Sequence, residues 1–207
     1  MSISRKRRGF TLIELSIVLL IGGIIIAAIW VAAGSAWTSY RVYRANQQIA
    51  MSVMNIRDYY TNIQAFPATG DMTSAMDALS LFPVEMRRNT GVAAGSTPID
   101  HALNNTITSG TAPANGAFHV SAVACPGSAA IRCFQVSLMG LSQAACVRLL
   151  TSAPIADNEL GVMKIGAEAM TGSTTTMTTP VTAATASGWC TVAGNTNEFD
   201  IVYKLHN

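Results

Sequence analysis

The chain has 207 residues, half of them apolar and only 12% charged, which suffices for one modest globular core plus a separate apolar segment and excludes two large domains. The net charge of +2 comes from the extreme N-terminus: Arg5, Lys6, Arg7 and Arg8 are four of the thirteen cations, and without them nine basic residues face eleven acidic ones. The body therefore has no basic footprint for nucleic acid, and no such partner is expected.

Beyond the basic cluster, 26 uncharged residues separate Glu14 from Arg41, dominated through Ala33 by Ile, Leu, Val and Ala. About 20 apolar residues cross a hydrocarbon core as a helix, so residues 15–36 are expected to span a membrane. The positive-inside rule keeps the cationic cluster in the cytoplasm and directs the C-terminal part outward. Three readings compete: a secretory signal, a simple anchor, and a leader joined to a polymerisation helix. A secretory signal has an apolar region of roughly 7 to 15 residues before a small-residue cleavage site. Gly34-Ser35-Ala36 would serve as that site, but the run before it is longer than usual. A simple anchor gives no reason for Glu14, because an ionisable group in a membrane helix is costly and by default functional.

Residues 5 to 20 read RKRRGFTLIELSIVLL. They resemble the type IV prepilin signature: a short basic leader, Gly9, a hydrophobic Phe10, and Glu14 four residues later. That resemblance implies a leader of residues 1–9, cut by a prepilin peptidase between Gly9 and Phe10 on the cytoplasmic side, and N-methylation of the new Phe10 amine. Glycine before the cut suits a tight subsite, having no side chain and an unrestricted backbone. It also implies a task for Glu14. In a filament core an unpaired amine and an unpaired carboxylate are each expensive, and pairing between neighbouring subunits offsets both costs. Glu14 would then set register and recruit subunits; the alternative is a carboxylate that snorkels to the interface.

The helix is expected over residues 10–63. After Tyr40, the residues Val42, Ile49, Val53, Ile56 and Tyr60 recur at helical spacings among Arg41, Arg44, Arg57 and Asp58, giving an amphipathic half that lies against a globular head. Gly22 and Gly23 each cost about 1 kcal/mol relative to alanine. They would permit close helix packing or local unwinding, or be merely tolerated.

The head is expected over residues 64–207. Turn signals at Phe66-Pro67, Gly70-Asp71, Phe82-Pro83, Gly91, Gly95, Pro98 and Pro113 mark a connecting region with one small helix, capped by Thr73 and presenting Met76, Leu79 and Phe82. Strands are predicted at 117–123, 131–138, 160–166, 188–193 and 198–205, with Phe199, Ile201 and Tyr203 alternating on one side of the last. GLSQAACVRLLTS reads as a helix with Ser142 as N-cap and Leu141, Ala145 and Leu149 toward the core. The expected fold class is α+β, a long N-terminal helix packed on a head with an antiparallel sheet, and the resemblance implies that this is the type IV pilin fold.

Cys125, Cys133, Cys146 and Cys190 all follow the apolar segment, and an even count in an exported domain favours disulfides over metal. Four cysteines allow three pairings, and their spacing leaves all three open. The Gly140-Leu141-Ser142-Gln143 segment with Cys146 and Cys190 resembles the C-terminal region of type IVb pilins, the toxin-coregulated pilin group and the thin-pilus pilins of conjugative plasmids. That resemblance implies a Cys146–Cys190 bridge, leaving Cys125 with Cys133 across a hairpin containing Pro126 and Gly127. The nine-residue leader and Phe10 instead resemble the type IVa group.

No GxSxG, GxxxxGK[ST], HExxH or GxGxxG occurs, and His101, His119 and His206 are isolated, read as surface or strand histidines. Neither enzyme activity, cofactor nor metal is expected. The tract from Thr171 to Gly188 reads as an exposed loop or edge on the head. The expected function is the major subunit of a type IV pilus, serving cell contact, adhesion, aggregation or conjugative mating. Its partners would be copies of itself in a helical filament, the inner membrane, the prepilin peptidase and assembly machinery, and a host or recipient cell surface. The head of the precursor would lie in the periplasm and the assembled fibre outside the cell. A minor pilin or secretion pseudopilin, and a membrane-anchored adhesin that never polymerises, are the alternatives.

Overall fold

The computed structural model describes residues 11–63, 65–87, 98–103, 117–152, 161–167, 175–176, 181–191 and 197–205. Its longest element, α1 (Leu12–Tyr59), replaces the expected 10–63 helix with slightly tighter ends. The chain divides into two compact units, Met1–Tyr40 and Arg41–Asn207.

In the first unit the residues of α1 from Leu12 to Val31 bury nothing: Leu12, Ile17, Ile24 and Val31 are all more than half exposed. Hydroxyls along this stretch turn back onto the helix, with Ser16 donating to the Ile13 carbonyl, Thr38 to Gly34 and Ser39 to Ser35. Such bonds satisfy polar groups without water, as a bilayer demands.

In the second unit Val42, Ala45, Ile49, Val53, Ile56 and Tyr60 form one buried stripe on α1 at spacings of three, four and seven, as the apolar periodicity predicts. They share a hydrophobic cluster with one face of a six-stranded sheet. Its strands are β1 (Gly70–Asp71), β2 (Phe118–Val123), β3 (Cys133–Leu141), β4 (Val162–Ala167), β5 (Thr175–Thr176) and β6 (Asn197–Lys204), in the order β1-β2-β3-β6-β4-β5 with every pairing antiparallel. Phe134, Val136 and Leu138 stand opposite Tyr203, Ile201 and Phe199, so the alternation read from the last strand faces the core. Tyr60, Phe66, Phe134 and Tyr203 form a chain of ring contacts running from α1 into the sheet. At the far end of β3 the register shifts between Leu138 and Leu141, where Gly140 adopts a φ of 76°, a left-handed conformation that favours glycine.

Of the expected helices, α3 (Gln143–Ser152) begins as predicted: the Ser142 hydroxyl accepts from the Ala145 N–H, and Leu141, Ala145 and Leu149 are buried. The short helix α2 (Thr73–Ala78) differs. Met72 occupies the N-cap, Asp71 accepts from the Thr73 N–H and hydroxyl, and the Thr73 oxygen in turn accepts from the Val120 N–H on β2. Asp71 caps better because a carboxylate accepts both donors at a helix N-terminus. Leu79, expected in the core, is 41% exposed just past the helix.

Of the strand expected at 188–193, none forms over the described residues 188–191, and 192 and 193 lie outside them. Gly188 and Trp189 close a helix, α4 (Ala183–Trp189), whose N-cap Thr182 accepts from the Thr185 N–H. The cap and the alanine-rich turns outweigh the strand preference of Trp and Val. The same helix, with β5, replaces part of the loop expected over Thr171 to Gly188. Gly91, Gly95 and Pro113 lie outside the described residues.

Candidate functional site

The N-terminal helix starts on a Thr-x-x-Glu pattern. Thr11 precedes the first helical residue, its hydroxyl oxygen accepts from the Glu14 N–H at 3.3 Å, and its carbonyl accepts from Leu15. This is one half of a capping box, a start signal that reasoning centred on Glu14's charge passes over. Glu14 lies in the first turn, where a negative charge complements the positive end of the helix, and its side chain is exposed with no ion pair among the described residues. Gly9 and Phe10 lie outside the described residues.

At the other end of the apolar run Trp30, Trp37, Tyr40 and Tyr43 are all more than half exposed, and the Trp37 and Tyr40 rings lie 6.0 Å apart. Tryptophan and tyrosine favour the membrane–water boundary. From Glu14 to Trp37 a helix rises about 34 Å, against a hydrocarbon core of about 30 Å. These aromatics were a legible boundary signal that charge and hydropathy alone do not use.

The structure joins Cys146 on α3 to Cys190 after α4, and Cys125 to Cys133 across the turn containing Pro126 and Gly127, with Cα separations of 6.0 and 5.0 Å. No free cysteine remains. The first bridge ties α3 to α4 over 44 residues, and the second closes the β2–β3 hairpin.

The histidines do not gather. His119 is on β2, 3.6 Å from the Asp71 carboxylate, and helps hold that carboxyl below its usual range together with the Thr73 hydrogen bonds, against the upward push of burial. His101 is not a surface or strand histidine: it is buried between α1 and the β3 bulge, where its Nε2–H donates to the Met139 carbonyl at 2.8 Å and its Nδ1 accepts from the Leu103 N–H. Burial pushes it down to about 4. His206 lies outside the described residues. Across the outer face of the sheet His119, Ser137 and Asp200 stand in register, but Ser137 bonds to Asp200 rather than to the imidazole, so the row holds no activated nucleophile. Among the described residues no three His, Cys, Asp or Glu side chains approach as a metal site would require.

Residues 4–30 match the prokaryotic N-terminal methylation motif, and residues 39–202 match the family described as PilS N terminal. The chain belongs to the PilS family of type IV pilins. This pilin shares its fold with the crystal structure of the type IV b pilin from Salmonella typhi, at a TM-score of 0.53 and 17% identity, over 80% of this chain and 99% of that one. The type IV pilin TcpA from Vibrio cholerae El Tor aligns over 79% of this chain and 98% of its own at 17% identity and a TM-score of 0.45. A search of curated proteins by sequence gives no match. The pilin is a structural subunit of a pilus, and its prepilin motif and apolar helix make the precursor a membrane-anchored one.

Proposed function

We propose that the chain is the major subunit of a type IVb pilus, made as a precursor with its leader in the cytoplasm and its head in the periplasm. A prepilin peptidase cuts between Gly9 and Phe10, the Phe10 amine is methylated, and Glu14 pairs with the Phe10 amine of a neighbouring copy as the helices associate. The observation that carries this reading is the division of labour along α1. Its first half buries nothing in a single chain, while its second half is the spine of the head's own core. An exposed apolar run of this length needs either lipid or copies of itself, and a filament exchanges the first for the second. The assembled fibre lies outside the cell, where it serves contact with a host or recipient cell, aggregation or mating.

The deciding experiment is the N-terminal peptide mass of the protein sheared from its native host. Abundant fibres carrying methylated Phe10 support the proposal. An intact Met1 leader retained in the membrane fraction overturns it in favour of an anchored adhesin, and processed protein in trace amounts within fibres of another subunit makes this a minor pilin.

A further inference from the structure

The sheet has two faces with different fates. One is covered by α1 and α3, and the other carries His119, Ser121, Gln135, Ser137, Lys164 and Asp200. On that second face a hollow of about 220 Å³ opens, lined by Val123, Ala124, Pro126, Gln135, Lys164 and Val202. This is smaller than the roughly 300 to 1,000 Å³ of sites for drug-sized ligands, and suits a single ring.

Its layout follows from register. Val202 stands directly opposite Gln135 on one side and Lys164 on the other, so an apolar floor is flanked by two polar groups about 10 Å apart, two inter-strand spacings. Gln135 is fixed from beneath: its Nε2 donates to the Ser137 hydroxyl at 3.1 Å and to the Asp200 carboxylate at 2.9 Å. With its donor committed, Gln135 offers the hollow its amide oxygen, an acceptor. Lys164 makes no ion pair among the described residues and offers a cation. The Cys125–Cys133 bridge holds the wall formed by Ala124 and Pro126.

We propose that this hollow binds a carboxylate-bearing sugar unit, with the carboxylate on Lys164, a ring hydroxyl donating to the Gln135 amide oxygen, and the apolar ring face over Val202, Val123 and Pro126. A cation, an acceptor and an apolar floor match those three parts in kind and span, whereas an amine would meet Lys164 with like charge. Two sources carry this chemistry, uronic acids of polysaccharides and sialic acids of cell-surface glycans. The inference deepens the proposed role in cell contact and rests on it for its biological setting.

The test is saturation-transfer NMR on the full-length chain in detergent, with D-glucuronate and N-acetylneuraminate as probes and glucose and acetate as comparators. Saturable transfer to at least one acidic sugar is expected, about tenfold weaker for glucose and for acetate, and about tenfold weaker in Lys164→Met. Lys204→Met, which removes a cation outside the hollow, should retain the signal. Transfer to neither acidic sugar, equal transfer to acetate, or transfer unchanged by Lys164→Met overturns the proposal. The stronger of the two acidic probes names the source. Because the measurement uses dispersed chain, the absence of fibres in the host would sink the filament reading and leave this result standing.

Discussion

Arg57, near the end of α1, donates from Nε at 3.1 Å and from Nη2 at 2.6 Å to the backbone carbonyl of Lys204, the last residue of β6. One guanidinium thus clamps the helix to the C-terminal strand across 147 positions of sequence. Burial lowers its pKa, opposed by the nearby Tyr203. Hydrogen bonds from a charged donor contribute about 1.5 to 3 kcal/mol, so Arg57→Met, which keeps most of the stem, should cost about 2 kcal/mol in urea unfolding. No change in the midpoint would mean that solvent replaces the clamp without loss.

His101 predicts acid sensitivity. Its folded pKa of about 4 lies below the ordinary value of 6.5, so the unfolded chain takes up the proton first. The stability it contributes is present above pH 6.5 and is lost as pH falls toward 4, by roughly 3 kcal/mol at most. Protonation would also remove the Nδ1 acceptor that holds the Leu103 N–H. Thermal unfolding followed between pH 7 and 4 should slope downward in the parent and more shallowly in His101→Gln. Parallel slopes would refute the assignment.

Asp200 has the opposite sign. Its Oδ1 takes bonds from Ser137 and Gln135, while its buried Oδ2 has no partner, and burial raises the carboxyl above its usual range. Ionisation at neutral pH therefore costs stability, and that cost disappears as pH falls below the unfolded carboxylate value of about 3.9. Asp200→Asn should stabilise the head at pH 7 by about 1 kcal/mol, the scale of an unsatisfied buried group, with a gain that shrinks in acid. A variant less stable than the parent at pH 7 would show that the charge is needed.

The bridges should differ in worth. Loop-closure entropy assigns about 4 kcal/mol to Cys146–Cys190 and about 2.5 kcal/mol to Cys125–Cys133. Paired Cys→Ser variants should lower the melting temperature in that order. A larger loss from the short bridge would mean that the β2–β3 turn depends on it for more than chain entropy.

For Glu14, replacement by Gln preserves size and removes charge. Processing and membrane retention should persist, while sheared fibres fall by about tenfold or more, equivalent to 1.4 kcal/mol of lost subunit pairing. Fibres at parental abundance would show that subunit pairing does not need the Glu14 charge.

The long helix, its buried stripe and the alternation of β6 were legible because each repeats a period over many residues. The start of α2 was not, since Thr73 reads as a cap but spends its hydroxyl oxygen on the Val120 N–H of β2, which leaves Asp71 to accept the Thr73 N–H. Nor was the helix at Ala183, where Trp189 and Val192 outweighed Thr182 in a short window. The burial of His101 left no local trace, because its partners Met139 and Leu103 come from a distant strand and from a turn. The hollow on the outer face needs the β3–β6–β4 register, which no single strand encodes.

That strand order has a consequence for biogenesis. β6, the last strand made, lies between β3 and β4, which do not pair with each other among the described residues. Until β6 has docked the sheet is two separate pieces, and Arg57 has no carbonyl to clamp. The head therefore closes only once β6 is in place, so a product cut short before it keeps its core open and its strand edges bare to quality-control proteases.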